Sequence, residues 1–250
     1  MTWQFTVSPD FPPDQLPGWY VFNTWLQKTL GEPVHLETYL DFPSQRAAIA
    51  ADQIDLIYAN PFDAAMLVRE KGFTGIARPK GKSDEVVIVV AANHPATCVE
   101  DLRPGLRVAT THDPDINMMG MILLEPADLC DANVVHKPCV SGYALVARDI
   151  GKDIADAGFI LADAYDRFSA PLRNSLKVLV RSQIHDVRHV FLLSPRLAEK
   201  HATLLTALLA LHNDELGRNI LQGLHIPVWE AVEREDMEFM IDLIDTLAEA

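Results

Sequence analysis

The sequence is poor in cysteine and in basic residues, and both shortages restrict its function. Its three cysteines, Cys98, Cys130 and Cys139, are an odd number without a CxxC spacing, so we expect neither a disulfide framework nor a paired-cysteine zinc site. Lysine and arginine number 21 against 35 acidic residues, which gives a formal net charge of −14. Because phosphate backbones bind cationic surfaces, we expect no nucleic-acid partner.

Long apolar runs and catalytic signatures are missing as well. No run reaches the roughly 18 apolar residues of a membrane span, so we expect no membrane insertion. The first residues show no basic and apolar leader. The chain as it stands is therefore predicted to be cytoplasmic, or periplasmic if an export signal has been removed. No Walker loop and no GxGxxG, HExxH or GxSxG motif occurs, and we predict a protein that is not an enzyme.

Strand-like and helix-like runs alternate along the chain, which predicts an α/β fold built from parallel βαβ units. The run 3–10 leads into a helix from about Leu16, and the run 54–62 leads into a helix from Asp63. Ser44 is predicted to cap a further helix, because its hydroxyl can accept a first-turn N–H. The remaining predicted strands are 33–40, 72–78, 85–91, 106–110, 132–136, 158–162, 177–181 and 189–193, and the remaining helices are 116–124, 141–150, 163–168, 197–211 and 235–247.

The run 85–91 is the most β-branched of the chain and predicts a buried central strand. A polar and flexible stretch, 81–84, precedes it. We predict two lobes: residues 84–180 form a lobe inserted between 1–83 and 181–250. The two chain crossings would then form a hinge, and a small ligand would bind in the cleft between the lobes.

Polar residues follow several predicted strands, where open α/β sheets bind their ligands and helix N-termini offer free N–H groups. Asn60 stands directly before Pro61, so its amide is either a ligand contact or a helix cap. Ser141 and Tyr143 precede another helix; Ser141 is predicted to cap that helix and to donate to a ligand. A solvated strand end is the alternative for this stretch.

The stretch 110–121 carries the largest number of candidate ligand groups. Thr111, His112 and Asn117 supply a hydroxyl, an imidazole and an amide at the start of a predicted helix. His112 with Met118 or Met119 has the soft donors that haem iron or copper accepts. Methionines that fill the core are the alternative. We predict no cofactor and keep haem or copper as the alternative.

Four stretches together carry a resemblance to a known family. They are the run 54–62 with its Asn-Pro-Phe ending, the run 111–114 followed by Gly120, the run 158–165 that ends in Asp163 and Tyr165, and the run 208–218 before Leu224-His225-Ile226. In this order they resemble the phosphonate- and phosphite-binding proteins of ABC transporters.

The resemblance implies a two-lobed fold of the type II periplasmic-binding-protein kind, with mixed and mostly parallel sheets flanked by helices. It implies a small-molecule ligand and a partner that is a transporter permease or a sensor. Asp163 and Tyr165 match a family position that meets an amine of the ligand.

The chain departs from this family at the turn that holds the oxyanion. The family places Ser-Thr-Ser-Gly there, and this chain has Asn117-Met118-Met119-Gly120. Thioethers are poor hydrogen-bond partners. Pocket tyrosines of the family are replaced by Phe42 and Ala64. A less charged, more apolar or softer ligand suits this turn better than a simple phosphonate.

The prediction is therefore a non-catalytic binding protein related to the phosphonate receptors, with a different ligand. A cytoplasmic carrier or sensor of the same fold is the first alternative, and a cytoplasmic enzyme on this fold is the second. The predicted ligand-binding residues are Phe42, Asn60, Thr111, His112, Asn117, Met118, Ser141, Tyr143, Asp163 and Tyr165.

Overall fold

The structure is a computed structural model that describes residues 2–249, with the side chains of residues 2–246. Its internal contacts divide the chain into two compact units. The first unit comprises Met1–Lys82 and Arg188–Ile244, and the second is built on Ser83–Val187. The lobe boundaries at residues 83 and 180 stay predictions.

Strands and helices alternate, as the sequence pattern predicts. The strands of the described residues are β1 (Trp3–Val7), β2 (Val34–Glu37), β3 (Leu56–Ala59), β4 (Thr74–Pro79), β5 (Val86–Ala91), β6 (Arg107–Ala109), β7 (Val135–His136), β8 (Ala157–Leu161), β9 (Leu176–Arg181), β10 (Val190–Leu193) and β11 (Trp229–Ala231). The helices are α1 (Leu16–Leu30), α2 (Phe42–Ala50), α3 (Pro61–Lys71), α4 (Pro114–Ile122), α5 (Tyr143–Gly151), α6 (Ala162–Asp166), α7 (Ala170–Asn174), α8 (His201–Ala210), α9 (Glu215–Gly223) and α10 (Arg234–Glu249).

Each unit contains one mixed sheet. The order of the first is β11-β4-β10-β3-β1-β2, and that of the second is β7-β6-β8-β5-β9. In the first sheet β10 and β11 run against the other strands. In the second only β5, among the strands described, runs against the rest. The α/β class with mixed, mostly parallel sheets is therefore confirmed.

Strand β5 lies inside the second sheet, between β8 and β9, as its composition predicts. Residues Val86–Val90 are fully buried. An uninterrupted β-branched run suits a strand whose two faces are both covered, because either face meets apolar neighbours. The first unit is centred on aromatic side chains instead: Phe5 packs on Trp19, Phe22 and Phe191 at ring-centroid distances of 6.1, 5.8 and 5.7 Å.

Two local predictions in the first unit are wrong. Helix α2 begins at Phe42, and its cap is Asp41, whose carboxylate accepts the N–H of Ser44 at 2.8 Å. Ser44 thus lies inside the first turn and does not cap it. The strand predicted for residues 33–40 ends at Glu37, because the chain must leave the sheet edge to reach this cap.

Helix α4 packs unusually close to β8, and glycine makes this contact possible. A Cβ atom on Gly120 would lie 2.4 Å from Cδ2 of Phe159. The Phe159 side chain is buried, so its ring has little room to move aside.

We therefore expect Gly120→Ala to lower the free energy of unfolding by about 1–3 kcal/mol, the usual cost of overpacking a core. The matched control is Gly151→Ala in the same unit, where an added Cβ meets no atom within 4 Å. Since alanine is the better helix former, the control should raise stability by about 0.5–1 kcal/mol. Urea denaturation followed by circular dichroism measures both; equal effects of the two variants would contradict the close contact.

Candidate ligand-binding site

The carboxyl ends of the strands in the second sheet bring most of the predicted residues to one edge. Strands β6 and β8 are parallel, so the turn after β6 and the start of α6 after β8 share that edge. Strand β5 runs the opposite way and begins there: the N–H of Ala162 donates to the carbonyl of Glu85 at 2.7 Å. We call residues 110–113 and 162–166 the carboxyl edge of the second sheet.

Asp113 is the central group of the turn between β6 and α4. Its carboxylate is almost fully buried, with 3% of the residue exposed. One oxygen, Oδ1, accepts the first-turn N–H groups of Asp115 at 3.1 Å and Ile116 at 3.3 Å. The other, Oδ2, accepts the hydroxyl of Tyr143 at 2.7 Å. The N-terminus of α4 therefore already carries an anion from its own chain.

Asn117 closes the same turn from the inside. Its Nδ2 donates to the carbonyl of Thr111 at 3.0 Å, and its Oδ1 accepts the hydroxyl of Thr110. The N–H of Val140 donates to the carbonyl of Thr110 at 3.0 Å and fastens the segment before α5 to this turn. Both ends of the Asn117 amide are thus engaged with the protein.

Thr111, Asn117 and Tyr143 meet around Asp113, Asn117 through its backbone N–H, and the other predicted residues do not join them. Thr111 is buried and its Oγ1 accepts the N–H of Asp113 at 3.3 Å, while Tyr143 donates to the carboxylate. Ser141 is exposed, and the N-cap of α5 is Gly142 without a side-chain cap bond, so the predicted cap is wrong. The remaining second-unit candidates that are exposed or half-buried are His112, Met118, Asp163 and Tyr165.

Asp163 and Tyr165 interact within their own helix. Asp163 pairs with Arg167 at 3.0 Å, and the Tyr165 ring packs on Phe168 at a centroid distance of 5.9 Å. Asp163 lies in the first turn of α6 behind an N-cap at Leu161 and does not cap this helix. Their contact with a ligand stays a prediction.

In the first unit Asn60 caps α3. Its Oδ1 accepts the N–H of Asp63 at 2.8 Å, and its Nδ2 donates to the Asp63 carboxylate at 2.8 Å. Asp63 in turn accepts Nε of Arg46 at 2.6 Å. The Arg46 guanidinium lies over the rings of Phe62 and Phe42, at 5.0 and 5.7 Å. The cap interpretation of Asn60 is confirmed, and Phe42 is a buried packing partner of Arg46.

A buried ion pair at the carboxyl ends of the first sheet has no signal in the sequence. Nε2 of His189 lies 3.0 Å from Oδ2 of Asp10, and 179 residues separate the two. The imidazole stacks on Tyr58 at a centroid distance of 5.1 Å. Burial alone would raise the pKa of Asp10, but the charge and hydrogen bond of His189, with a hydrogen bond from Ser8, outweigh it and hold that pKa below its ordinary value.

Among the described residues, no group of three or more His, Cys, Asp or Glu side chains is arranged to hold a metal ion. Met119 is buried in the core, with 1% exposed, whereas His112 is exposed. Haem or copper binding by these residues stays an untested alternative. No helix within 2–249 is long and apolar enough to cross a bilayer.

We expect Asp113→Ala to cost about 2–3 kcal/mol of stability, because a lost cap costs about 1 kcal/mol and the half-buried Tyr143 hydroxyl loses its acceptor. Asp214→Ala is the matched control: Asp214 caps α9 through the N–H of Gly217 at 2.7 Å. It should cost about 1 kcal/mol. Equal losses in urea denaturation would show that the Tyr143 contact contributes nothing.

The Asp10 pair predicts a dependence of stability on pH. A carboxylate whose pKa is lowered by folding stabilises the protein above its unfolded value, here 3.8, and the contribution is lost as pH falls through the folded pKa. The difference in free energy of unfolding between wild type and Asp10→Asn should therefore be largest at neutral pH and shrink below 3.8. Urea midpoints measured from pH 7 downwards test this; a difference that does not change with pH would refute it.

The model of the family described as "ABC transporter, phosphonate, periplasmic substrate-binding protein" matches residues 5–237. A search of curated protein sequences finds no significant match.

Solved structures share the fold at low sequence identity. PhnD1 from Prochlorococcus marinus, in complex with methylphosphonate, aligns with a TM-score of 0.83 at 14% identity, over 100% of this chain and 99% of its own. A binding protein component of an ABC phosphonate transporter from Pseudomonas aeruginosa aligns with a TM-score of 0.78 at 13% identity, over 98% and 86%. The periplasmic aliphatic sulphonate binding protein of Escherichia coli aligns with a TM-score of 0.68 at 17% identity, over 99% and 92%.

These structures establish the type II periplasmic-binding-protein fold that the resemblance implies. The match to the family extends over almost the whole chain, from β1 to α10. The chain therefore belongs to the family of periplasmic substrate-binding proteins of phosphonate ABC transporters.

Proposed function

We propose that this chain is a non-catalytic substrate-binding protein whose ligand is less charged than a phosphonate or phosphite dianion. The ligand would contact the carboxyl edge of the second sheet. The observation that carries this proposal is the Asp113 carboxylate, which occupies the first-turn N–H groups of α4. An oxyanion binds a helix N-terminus through those groups.

Electrostatics oppose a dianion at this edge. Asp115 adds a second buried carboxylate to the first turn of α4. At an effective dielectric of 20, two unit charges 6–8 Å apart repel by about 2–3 kcal/mol. A dianion would meet this repulsion from each carboxylate, whereas a neutral, zwitterionic or cationic group would not.

The side chains of the turn favour the same conclusion. Asn117 uses both ends of its amide within the protein. Met118 is half-buried, and its thioether offers an adaptable apolar surface rather than hydrogen bonds. An alkyl part of a ligand therefore suits Met118, and the carboxylates of the edge suit an amino group.

Family membership supports the remaining parts of the proposal. Family members are substrate-binding proteins of ABC transporters, so we propose a transporter permease as partner and transport as the role. A cytoplasmic carrier or sensor and an enzyme on this fold remain the alternatives, and nothing in the geometry of the described residues favours either.

Isothermal titration calorimetry with methylphosphonate and phosphite tests the proposal. We expect wild type to bind methylphosphonate and phosphite at least 10-fold more weakly than Asp113→Asn does, because asparagine keeps the cap and removes the charge. The Asp214→Asn variant, which alters a cap in the first unit, should bind as wild type. A thermal-shift series of aminoalkyl compounds and alkylsulphonates should contain stronger binders than methylphosphonate.

Tight saturable binding of methylphosphonate by wild type, with no gain in Asp113→Asn, would overturn the proposal. Turnover of a probe by the purified protein would overturn the non-catalytic role.

A further inference from the structure

One buried carboxylate lies where the chain passes between its two units. The chain enters the second unit at Ser83 and leaves it after Val187. Glu85 follows the entry directly and is 9% exposed. Its carboxylate accepts hydrogen bonds from two passages of the chain: the entering passage, which includes Ser83, and the returning passage, residues 182–187.

Four donors converge on the Glu85 carboxylate. From the returning passage it accepts the hydroxyl of Ser182, the N–H of Ile184 at 3.1 Å and the N–H of His185 at 2.8 Å. From the entering passage it accepts the hydroxyl of Ser83 at 3.1 Å. Burial would raise the pKa of Glu85, but these hydrogen bonds outweigh it and leave the pKa below its ordinary value, so the group is charged at neutral pH.

Backbone groups join the same two passages. The N–H of Asp84 donates to the carbonyl of Val187 at 2.8 Å. The N–H of Ser182 donates to the carbonyl of Val86 at 2.9 Å, and the Ser182 hydroxyl accepts the N–H of Val86 at 2.9 Å. The entering and returning passages are therefore bound to each other as well as to Glu85.

The returning passage has little other regular structure to hold it. Residues 182–189 form neither helix nor strand. His185 adopts a left-handed backbone, with φ of 64°, which is unfavourable for a residue with a Cβ. The hydrogen bond from its N–H to Glu85 supplies a local reason for this conformation.

We propose that Glu85 is a clamp that fixes the conformation of the returning passage, residues 182–187, against the entering passage, residues 83–86. The carbonyl of Glu85 also accepts the N–H of Ala162 at the start of α6, so the clamp is joined directly to the carboxyl edge of the second sheet. Without the clamp, only the hydrogen bonds of Asp84 and Ser182 would join the two passages.

Hydrogen exchange on the full chain tests the clamp, with Glu85→Gln as the main variant. This substitution replaces one carboxylate oxygen by an amide nitrogen, which cannot accept the hydrogen bonds that the oxygen accepts. We expect the amides of residues 184–187 to exchange at least 10-fold faster, while β8 and β10 keep their protection. Ser182→Ala, which removes one donor, should have an intermediate effect.

Asp101→Asn is the matched control. Asp101 accepts the N–H and hydroxyl of Thr97 at 2.7 and 2.9 Å and the N–H of Cys98 at 3.3 Å, within a loop of the same unit that is not a crossing. It should accelerate exchange only near residues 97–98. Unchanged exchange at 184–187 in Glu85→Gln, or equal acceleration throughout the second unit, would overturn the clamp.

Discussion

A carboxylate that leaves water must be met by donors, and this constraint shapes the loops at the carboxyl ends of both sheets. Removing a charge from water without partners costs several kcal/mol. The chain meets the requirement with helix N-termini, hydroxyls, an imidazole and a guanidinium. The buried carboxylates concerned are those of Asp10, Asp63, Glu85 and Asp113, and each holds two or more separate segments in place.

The same constraint affects which ligand can bind. The first-turn N–H groups of α4 could donate to an oxyanion of a ligand, but they already donate to the carboxylate of Asp113. An internal anion of this kind costs no association entropy, because it is part of the folded chain. It therefore competes with any external anion, and the overall charge of −14 acts in the same direction at long range. The less charged ligand that we propose would meet less of this competition.

The fold is shared with proteins of only 13–17% sequence identity, because the sheets and the turns depend on different residues. The sheets need apolar runs of the right period, and many sequences supply them. The turns at the strand ends need particular side chains, and these are what a change of ligand alters. Fold and family therefore say less about this ligand than the single turn from Thr110 to Asn117 does.

The sequence by itself determined the order of strands and helices and the buried position of β5, and it offered the cap at Asn60 as one of two interpretations, since each depends on residues close together in the chain. Apolar periodicity and an Asn-Pro pair act over a few residues, so they can be recognised locally. Even here competition between neighbours misled the prediction, since both Asp41 and Ser44 are good caps. Only the tertiary structure decided the partners of Asp113, Asp10 and Glu85, because Tyr143, His189 and His185 lie 30, 179 and 100 residues away from them. Such pairs form when strands meet at a common sheet edge, and no local pattern encodes which loops will meet there.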